Sequence, residues 1–342
     1  MDEKRLGEIL ERFPSLRLLV VGDYFLDRYL IIDPGLAELS LETGRTAHQV
    51  VDIRNSPGAA GTVANNLRAL EVGVVALGIV GRDGMGFELK RALQRIGVDV
   101  AAMIESDQRV TPTYTKPMER LADGSERETE RQDIKNRMPT PTDLEGRLIE
   151  ALRQLAGQVD GIIVADQVPE SDCGAITAPM RQALAQLAQA SPEKPIAVDS
   201  RRHIGRFDAL LLKPNEREAW EAVHGLPPEG TPALDESAAC GRALARRTGR
   251  PVFVTVGDRG ILVVDGGQVT HVPAPAATGP IDIVGAGDSA MSAIVASLCA
   301  DATPVEAAAV ANLVASITIQ QLGTTGTASR AQVLARHRET SQ

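Results

Sequence analysis

Short apolar runs of five to seven residues, bounded by turn residues, recur along the chain at 17–22, 74–80, 161–165, 195–199, 209–213 and 251–256. A run that is apolar at successive positions belongs to a strand buried on both faces, as in parallel sheets whose crossovers carry helices. Stretches of helical period lie between the runs, at 62–70, 86–96, 142–155, 173–189, 216–223 and 237–248. The alternation predicts an α/β fold: a doubly wound, mostly parallel central sheet flanked by helices, in one domain over 1–342.

Two segments, about 29–53 and 112–132, break the rhythm. They hold strand-like pieces at 29–32, 49–53, 113–118 and 127–131 without an intervening helix. They are expected to pair into a small antiparallel β lid over the carboxyl ends of the core strands, where open α/β sheets bind ligands. Plain surface hairpins are the competing reading. An exposed small sheet also suits a homodimer through the lid. The Pro- and Gly-rich stretch 226–235 reads as a surface loop, and 330–342 as a polar tail that frays.

Composition narrows the function. Aromatics are 3% of the residues, too few to stack single-stranded nucleic acid, and a net charge of −9 without a basic run gives no footprint for nucleic acid or an anionic membrane. No apolar run reaches the ~18 residues that span a bilayer. Cys173, Cys240 and Cys299 lie far apart without C-x-x-C spacing, and the N-terminus is unlike a signal peptide, so a cytoplasmic location is expected.

The stretch Asp282-Ile283-Val284-Gly285-Ala286-Gly287-Asp288 is the strongest chemical signal. Two glycines flanking an alanine let consecutive N–H groups turn towards one point, and a helix opening behind adds its positive end. Asp288 is placed to take a proton from a hydroxyl that attacks a phosphoryl group held there. A glycine-rich turn with Asp288 as an ordinary helix cap fits the same letters.

Ordered landmarks decide between them: Gly22-Asp23-Tyr24-Phe25-Leu26-Asp27, Pro57-Gly58-Ala59-Ala60-Gly61, Gly81-Arg82-Asp83-Gly84-Met85-Gly86, Lys213-Pro214-Asn215-Glu216-Arg217-Glu218, Thr255-Val256-Gly257-Asp258-Arg259-Gly260 and the 282–288 motif. With them the chain resembles the ribokinase-like, PfkB-type carbohydrate kinases over about 17–326. The G-D-x-x-L-D ending of the first strand, Thr113-Tyr114-Thr115-Lys116 and the 312–326 tail most resemble the D-glycero-β-D-manno-heptose 7-phosphate kinase branch. There are two departures. Thr62 stands where the family carries a sugar-binding Asn, and 166–170 lacks the Lys of the heptose branch.

The resemblance implies an ATP-dependent sugar kinase. Asp288 is the implied base and the Gly285, Ala286 and Gly287 backbone the implied anion hole. Asp27, Gly58, Ala59 and Thr62 hold the sugar. Lys213, Asn215, Glu218, Thr255, Gly257, Gly260 and Asn312 place ATP, and Asn215 with Glu218 holds Mg²⁺ through its waters. A monovalent cation, K⁺ in relatives, is implied beside Asp282. Lys116, Arg131 and Arg201 suit a phosphate already on the substrate.

Simpler roles compete for several of these residues. Asp27 can be a turn or cap residue, Asp23 either a sugar contact or a turn, and Asn66 only a helix residue. Asn215 and Glu218 fit a capping box equally well, Asn312 fits a satisfied core amide, and the three basic residues fit ordinary surface charges. His48, His203, His224, His271 and His337 lack metal-ligand spacing and are expected to join no nucleophilic serine. The glycines at Gly81 do not match a dinucleotide loop.

The expected reaction is phosphorylation of a sugar or sugar phosphate, foremost heptose 7-phosphate at C1. Without an H-x-G-H nucleotidyltransferase motif, the nucleotide-sugar step is not expected. The alternatives are another sugar of the same kinase family, or a sugar-binding regulatory protein that has lost turnover. The intact 285–288 motif argues against the latter.

Overall fold

The computed structural model describes residues 1–121, 123–277, 279–323 and 325–340. The chain enters through helix α1 (Glu3–Arg12), whose Leu6, Ile9 and Leu10 are buried, and passes into strand β1 (Arg17–Gly22). It runs out in β2 (Tyr24–Leu39) and returns in β3 (Thr46–Ala59) to α2 (Ala60–Ala69). Next come β4 (Gly73–Leu77), β5 (Ile79–Gly81), α3 (Gly84–Arg95) and β6 (Ile104–Ser106), then a second excursion through β7 (Thr113–Arg120), β8 (Glu126–Glu128) and β9 (Gln132–Ile134). The chain continues through α4 (Thr142–Ala156), β10 (Gly161–Asp166), α5 (Ala178–Ala190), β11 (Ile196–Ser200), β12 (Leu211–Leu212), α6 (Glu216–His224), α7 (Leu234–Thr248) and β13 (Val252–Thr255). The last elements are β14 (Ile261–Asp265), β15 (Gln268–Val272), α8 (Ala286–Cys299), α9 (Pro304–Thr318) and α10 (Arg330–Thr340).

The main sheet has eight strands in the order β15-β14-β13-β12-β11-β10-β1-β4. Its pairings are parallel from β4 to β13 and antiparallel at β13–β14 and β14–β15. Burial on both faces explains the continuous apolar runs: in β1, Leu18 and Val20 join one core while Leu19 and Val21 join the other. The first core packs under α1, α2, α3, α8, α9 and α10, the second under α4 to α7. The β14–β15 hairpin closes through Gly266 and Gly267, both at positive φ, as a two-residue turn of its twist requires.

The predicted lid sheet forms with one correction. It has five strands, ordered β3-β2-β7-β8 with β9 also on β7, and it is mixed rather than antiparallel because β2 and β7 pair in parallel. Both excursions leave the same end of the core, so their outgoing strands run the same way. The tail expected to fray is α10, tied by Arg338 to Glu3 at 2.7 Å and by Arg330 to Glu71 at 2.6 Å; residues 341–342 lie outside the described residues. The helix predicted from 173 starts at Ala178, where the Thr177 side chain caps it and Pro179 occupies its first turn.

Candidate active site

Asp282 shapes the turn that precedes α8. Its backbone N–H donates to Ile319 O at 2.8 Å, and its Oδ1 accepts from Val284 N at 3.0 Å. The chain then reaches Gly285, the α8 N-cap, at φ +83°, a left-handed conformation that disfavours any side chain. Ala286 N–H bonds back to Ile283 O, so the amides of Gly287 and Asp288 remain as the first-turn donors without an intrahelical acceptor. The turn therefore offers two amides and a helix end to an anion.

Two neighbouring core strands deliver charges against this turn. Lys213 follows β12 and Asp199 lies in β11; both are buried, and Lys213 Nζ is 2.8 Å from Asp199 Oδ2. A Cβ at Gly287 would sit 3.5 Å from that ammonium and 3.9 Å from that carboxylate. Burial pushes the Asp288 carboxyl up to about 7, with the negative charge of Asp199 adding to it and Lys213 and Arg201 opposing. Glu218 is raised too, first by burial and then by Asp199. Burial pulls Lys213 down, but Asp199, Glu218 and Asp288 outweigh it and hold the ammonium above its ordinary value.

Asn215 and Glu218 form the capping box, with both reciprocal hydrogen bonds at 2.8 Å. That box engages Glu218 Oε2, and the carboxylate still feels Lys213 and Asp199, so the cap and the charge cluster share one residue. Thr255 N donates to Pro214 O at 3.0 Å, which puts Thr255 beside Asn215 in a parallel bridge and joins two segments predicted separately for ATP. Gly257 at φ +64° has open space where a Cβ would project, whereas Gly260 at φ +97° lies against the Val272 carbonyl. Asn312 Nδ2 donates to Val272 O at 2.9 Å and Pro273 O at 3.2 Å, the satisfied amide that its apolar helix face suggested.

The opposite wall comes from the lid sheet and α2. Asp27 on β2 pairs with Ser56 on one side and Tyr114 on the other, and Lys116 Nζ stands 3.4 Å from its Oδ1. Burial raises the Asp27 carboxyl against the pull of Lys116. A Cβ at Gly58 would come within 2.5 Å of Asp27 Oδ2, so any side chain there would displace the Asp27 carboxylate. Ala59 has φ +54°, a region alanine rarely adopts, at the turn read as sugar-binding. Thr62 is buried, and its Cγ2 would be 3.6 Å from a Cβ on Gly285. The two predicted walls thus meet at Thr62 and Gly285. Arg131 lies over the Tyr114 ring at 4.7 Å and pairs with Asp133 at 2.8 Å.

A family profile described as pfkB family carbohydrate kinase matches residues 25–331. The chain belongs to the pfkB family of carbohydrate kinases. Among similar proteins, the bifunctional protein HldE of Trichlorobacter lovleyi is 29% identical over 351 residues, covering 98% of this chain and 65% of that protein. HldE of Pelobacter propionicus is 31% identical over 330 residues, covering 95% of this chain and 64% of that one. This pfkB chain therefore spans just under two thirds of the length of these relatives.

Two solved structures share the fold. Arabidopsis thaliana ribokinase complexed with ribose and ATP superposes with a TM-score of 0.66 at 18% identity, over 94% of this chain and 98% of that one. Phosphofructokinase-2 from Escherichia coli in complex with potassium gives 0.69 at 19% identity, over 96% and 100%.

In this pfkB chain Asp23 is a structural residue by its bonds: its carboxylate accepts from Ala175, Gln167 and Val168 N–H at 2.7, 2.9 and 3.1 Å and fixes the loop after β10. Burial and the nearby Asp166 raise it to about 6. Asn66 is buried one turn after Thr62 and donates to the Thr62 carbonyl at 3.0 Å.

One histidine does lie beside a serine: Ser171 Oγ is 3.5 Å from His203 Nε2, and His203 Nδ1 is 3.4 Å from Asp166. Both distances exceed those of a working triad, and Asp166 also binds Ser200 at 2.6 Å. This cluster ties two loops together. Asp199 is the residue that sequence reading overlooked. Its signal was a carboxylate at the carboxyl end of a parallel strand.

No group of three or more His, Cys, Asp or Glu among the described residues is arranged to hold a metal directly. No helix among them is long and apolar enough to cross a membrane.

Proposed function

We propose that the chain transfers the γ-phosphoryl group of ATP to a hydroxyl of a sugar phosphate, with C1 of heptose 7-phosphate as the leading acceptor. The observation that carries this is Asp288, a carboxyl lifted to about 7 in the first turn of α8, near the Lys213 ammonium. A base with that pKa is deprotonated enough at neutral pH to act and basic enough to take a hydroxyl proton. In this reading Asp27, Gly58, Ala59 and Thr62 orient the sugar, and Lys116 and Arg131 meet its existing phosphate. Lys213, Thr255, Gly257 and Gly260 border the nucleotide, and Asn312 supports its adenine end by holding the end of β15.

The donor set suits Mg²⁺ through water: Glu218 and Asp288 are raised first by burial and then by the one Asp199 charge, a carboxylate excess that a cation relieves. Mg²⁺ supplies charge neutralisation on the ATP phosphates, and Asn215 and Glu218 would hold its hydration shell. A monovalent cation is assigned beside Asp282, whose Oδ1 already organises the turn. Lid closure excludes water from the transfer. The exposed Val50, Val51 and Ile53 on β3 suit a lid-to-lid homodimer, and the protein is read as cytoplasmic.

The test is ADP release across phosphorylated and free sugars by wild type and Asp288→Asn. Sugar-dependent turnover lost in the variant is expected. Turnover that survives unchanged removes Asp288 as the base, and sugar binding without turnover by the wild type favours the regulatory reading. A panel in which another sugar reacts and heptose 7-phosphate does not rejects the heptose assignment alone.

A further inference from the structure

Beside Asp27 the sugar wall continues into a small cavity of about 30 Å³, bounded by the start of β2, the start of β7, the segment before α4 and the loop after β10. Phe25 and Tyr114 form part of its wall edge to face, with ring centroids 5.2 Å apart. Tyr114 is the register partner of Asp27, so this cavity adjoins the proposed sugar position.

Most polar side chains in the wall are already committed to the protein. Asp23 accepts from three backbone amides, and the Tyr24 hydroxyl donates to Val20 O. Arg109 donates to the Met138 and Cys173 carbonyls, Asn136 exchanges two hydrogen bonds with Val110, and Thr140 donates to Gly174 O. Glu170 is different. Its Oε2 is buried and has no hydrogen-bond partner among the described residues. Lys135, in the same wall, is held loosely, 3.6 Å from Asp133 and 5.5 Å from the Tyr114 ring centre.

A buried acceptor without a donor is unfavourable, so its retention points to a donor that arrives with a ligand. A phosphate or carboxylate there would be repelled by Glu170. A cation would be repelled by Lys135 and the Arg109 guanidinium. A hydroxyl meets both demands, donating to Glu170 and accepting from Lys135, while the ring faces cover the carbon skeleton. We propose that this cavity receives an uncharged, hydroxyl-bearing arm of the sugar, and that Glu170 is a specificity-determining residue that selects it. The proposal rests on the sugar-kinase reading and places the hydroxylated arm apart from the phosphate assigned to Lys116 and Arg131.

The test is calorimetric sugar binding without nucleotide, to wild type, Glu170→Ala and Glu170→Gln. The probes are heptose 7-phosphate, fructose 6-phosphate and ribose, plus the singly deoxygenated analogues of whichever binds most tightly. Glu170→Ala is expected to raise the Kd of that sugar on the order of 10- to 100-fold, as for a lost hydrogen bond to a charged group, and Glu170→Gln to raise it less. One deoxy analogue should bind wild type as weakly as its parent binds Glu170→Ala and be indifferent to the substitution. Melting temperature should hold or rise in both variants, where a structural carboxylate would lower it.

Equal affinity of wild type and Glu170→Ala for every probe overturns the proposal, as does an equal loss for the parent and all its deoxy analogues, or no sugar binding by wild type. ADP release is scored separately. Binding that depends on Glu170 without turnover sinks the kinase reading and leaves the pocket assignment standing.

Discussion

The Lys213 ammonium lies 2.8 Å from the Asp199 carboxylate, and both groups border Gly287 in the turn that opens α8. The pair ties the strand side of the site to the glycine turn proposed to bind the transferred phosphoryl group. Lys213 also restrains the pKa of Asp288, which burial and then Asp199 push up.

Lys213→Met should therefore do two things. Leaving Asp199 buried and uncompensated should cost about 3–5 kcal/mol of stability by denaturant titration. In the fraction that folds, the ascending limb of kcat/KM should move to higher pH, because a cation that lowers the Asp288 pKa is gone. An unmoved limb would separate Lys213 from the base.

For the wild type, kcat/KM should climb with pH through about 7, as Asp288 loses its proton and becomes competent as a base. Asp288→Asn should abolish this limb and reduce kcat by at least about 100-fold. A pH–rate series on both proteins reads this directly.

The same shift has an opposite consequence for stability. Asp288 rises from 3.8 to about 7 on folding, so its contribution favours the fold below pH 4 and is lost as pH climbs through 7. At pH 8, Asp288→Asn should stabilise by about 1–2 kcal/mol, the shift being discounted because the carboxyl is partly open to solvent. The gain should fade by pH 4. Melting curves at both pH values decide it, and a loss at pH 8 would refute the sign.

Two glycines in one loop should respond differently. Gly257→Ala meets open space at φ +64° and should cost about 1–2 kcal/mol, with its effect on kinetics falling on the KM for ATP. Gly260→Ala drives a methyl into the Val272 carbonyl at φ +97° and should destabilise more, with the β14–β15 hairpin disturbed. Equal melting temperatures for the two variants would contradict this reading.

Gly58→Ala should raise the KM for sugar at least about tenfold, because a methyl 2.5 Å from Asp27 Oδ2 forces that carboxylate away from its place beside Lys116. The KM for ATP should stay within about twofold, since the segments proposed to border the nucleotide lie on the other wall. Equal effects on both substrates would indicate general misfolding.

Much of this was legible in the letters. Continuous apolar runs announced strands buried on both faces, and β1 matches its predicted bounds at Arg17–Gly22. The glycines of 282–288 announced a turn opening a helix, and Asn215 with Glu218 announced a capping box, whose Glu218 the fold also places near Lys213 and Asp199. Local patterning failed where partners are distant. The parallel pairing of β2 with β7 depends on both excursions leaving the same end of the core. The docking of α10 brings Val333 into a core of residues remote in sequence, and pairs Arg338 and Arg330 with Glu3 and Glu71.

The sequence by itself determined the layered α/β architecture, the family and the glycine turn at 285–288 that opens a helix, because strand periodicity and glycine conformation are properties of neighbouring residues. Only the tertiary structure decided that Asp199 and Lys213 sit against that turn, that Asp23 is engaged by the loop after β10, and that Glu170 keeps a buried oxygen without a partner. Burial and charge pairing set those roles, and both arise from residues that come together only when the strands align.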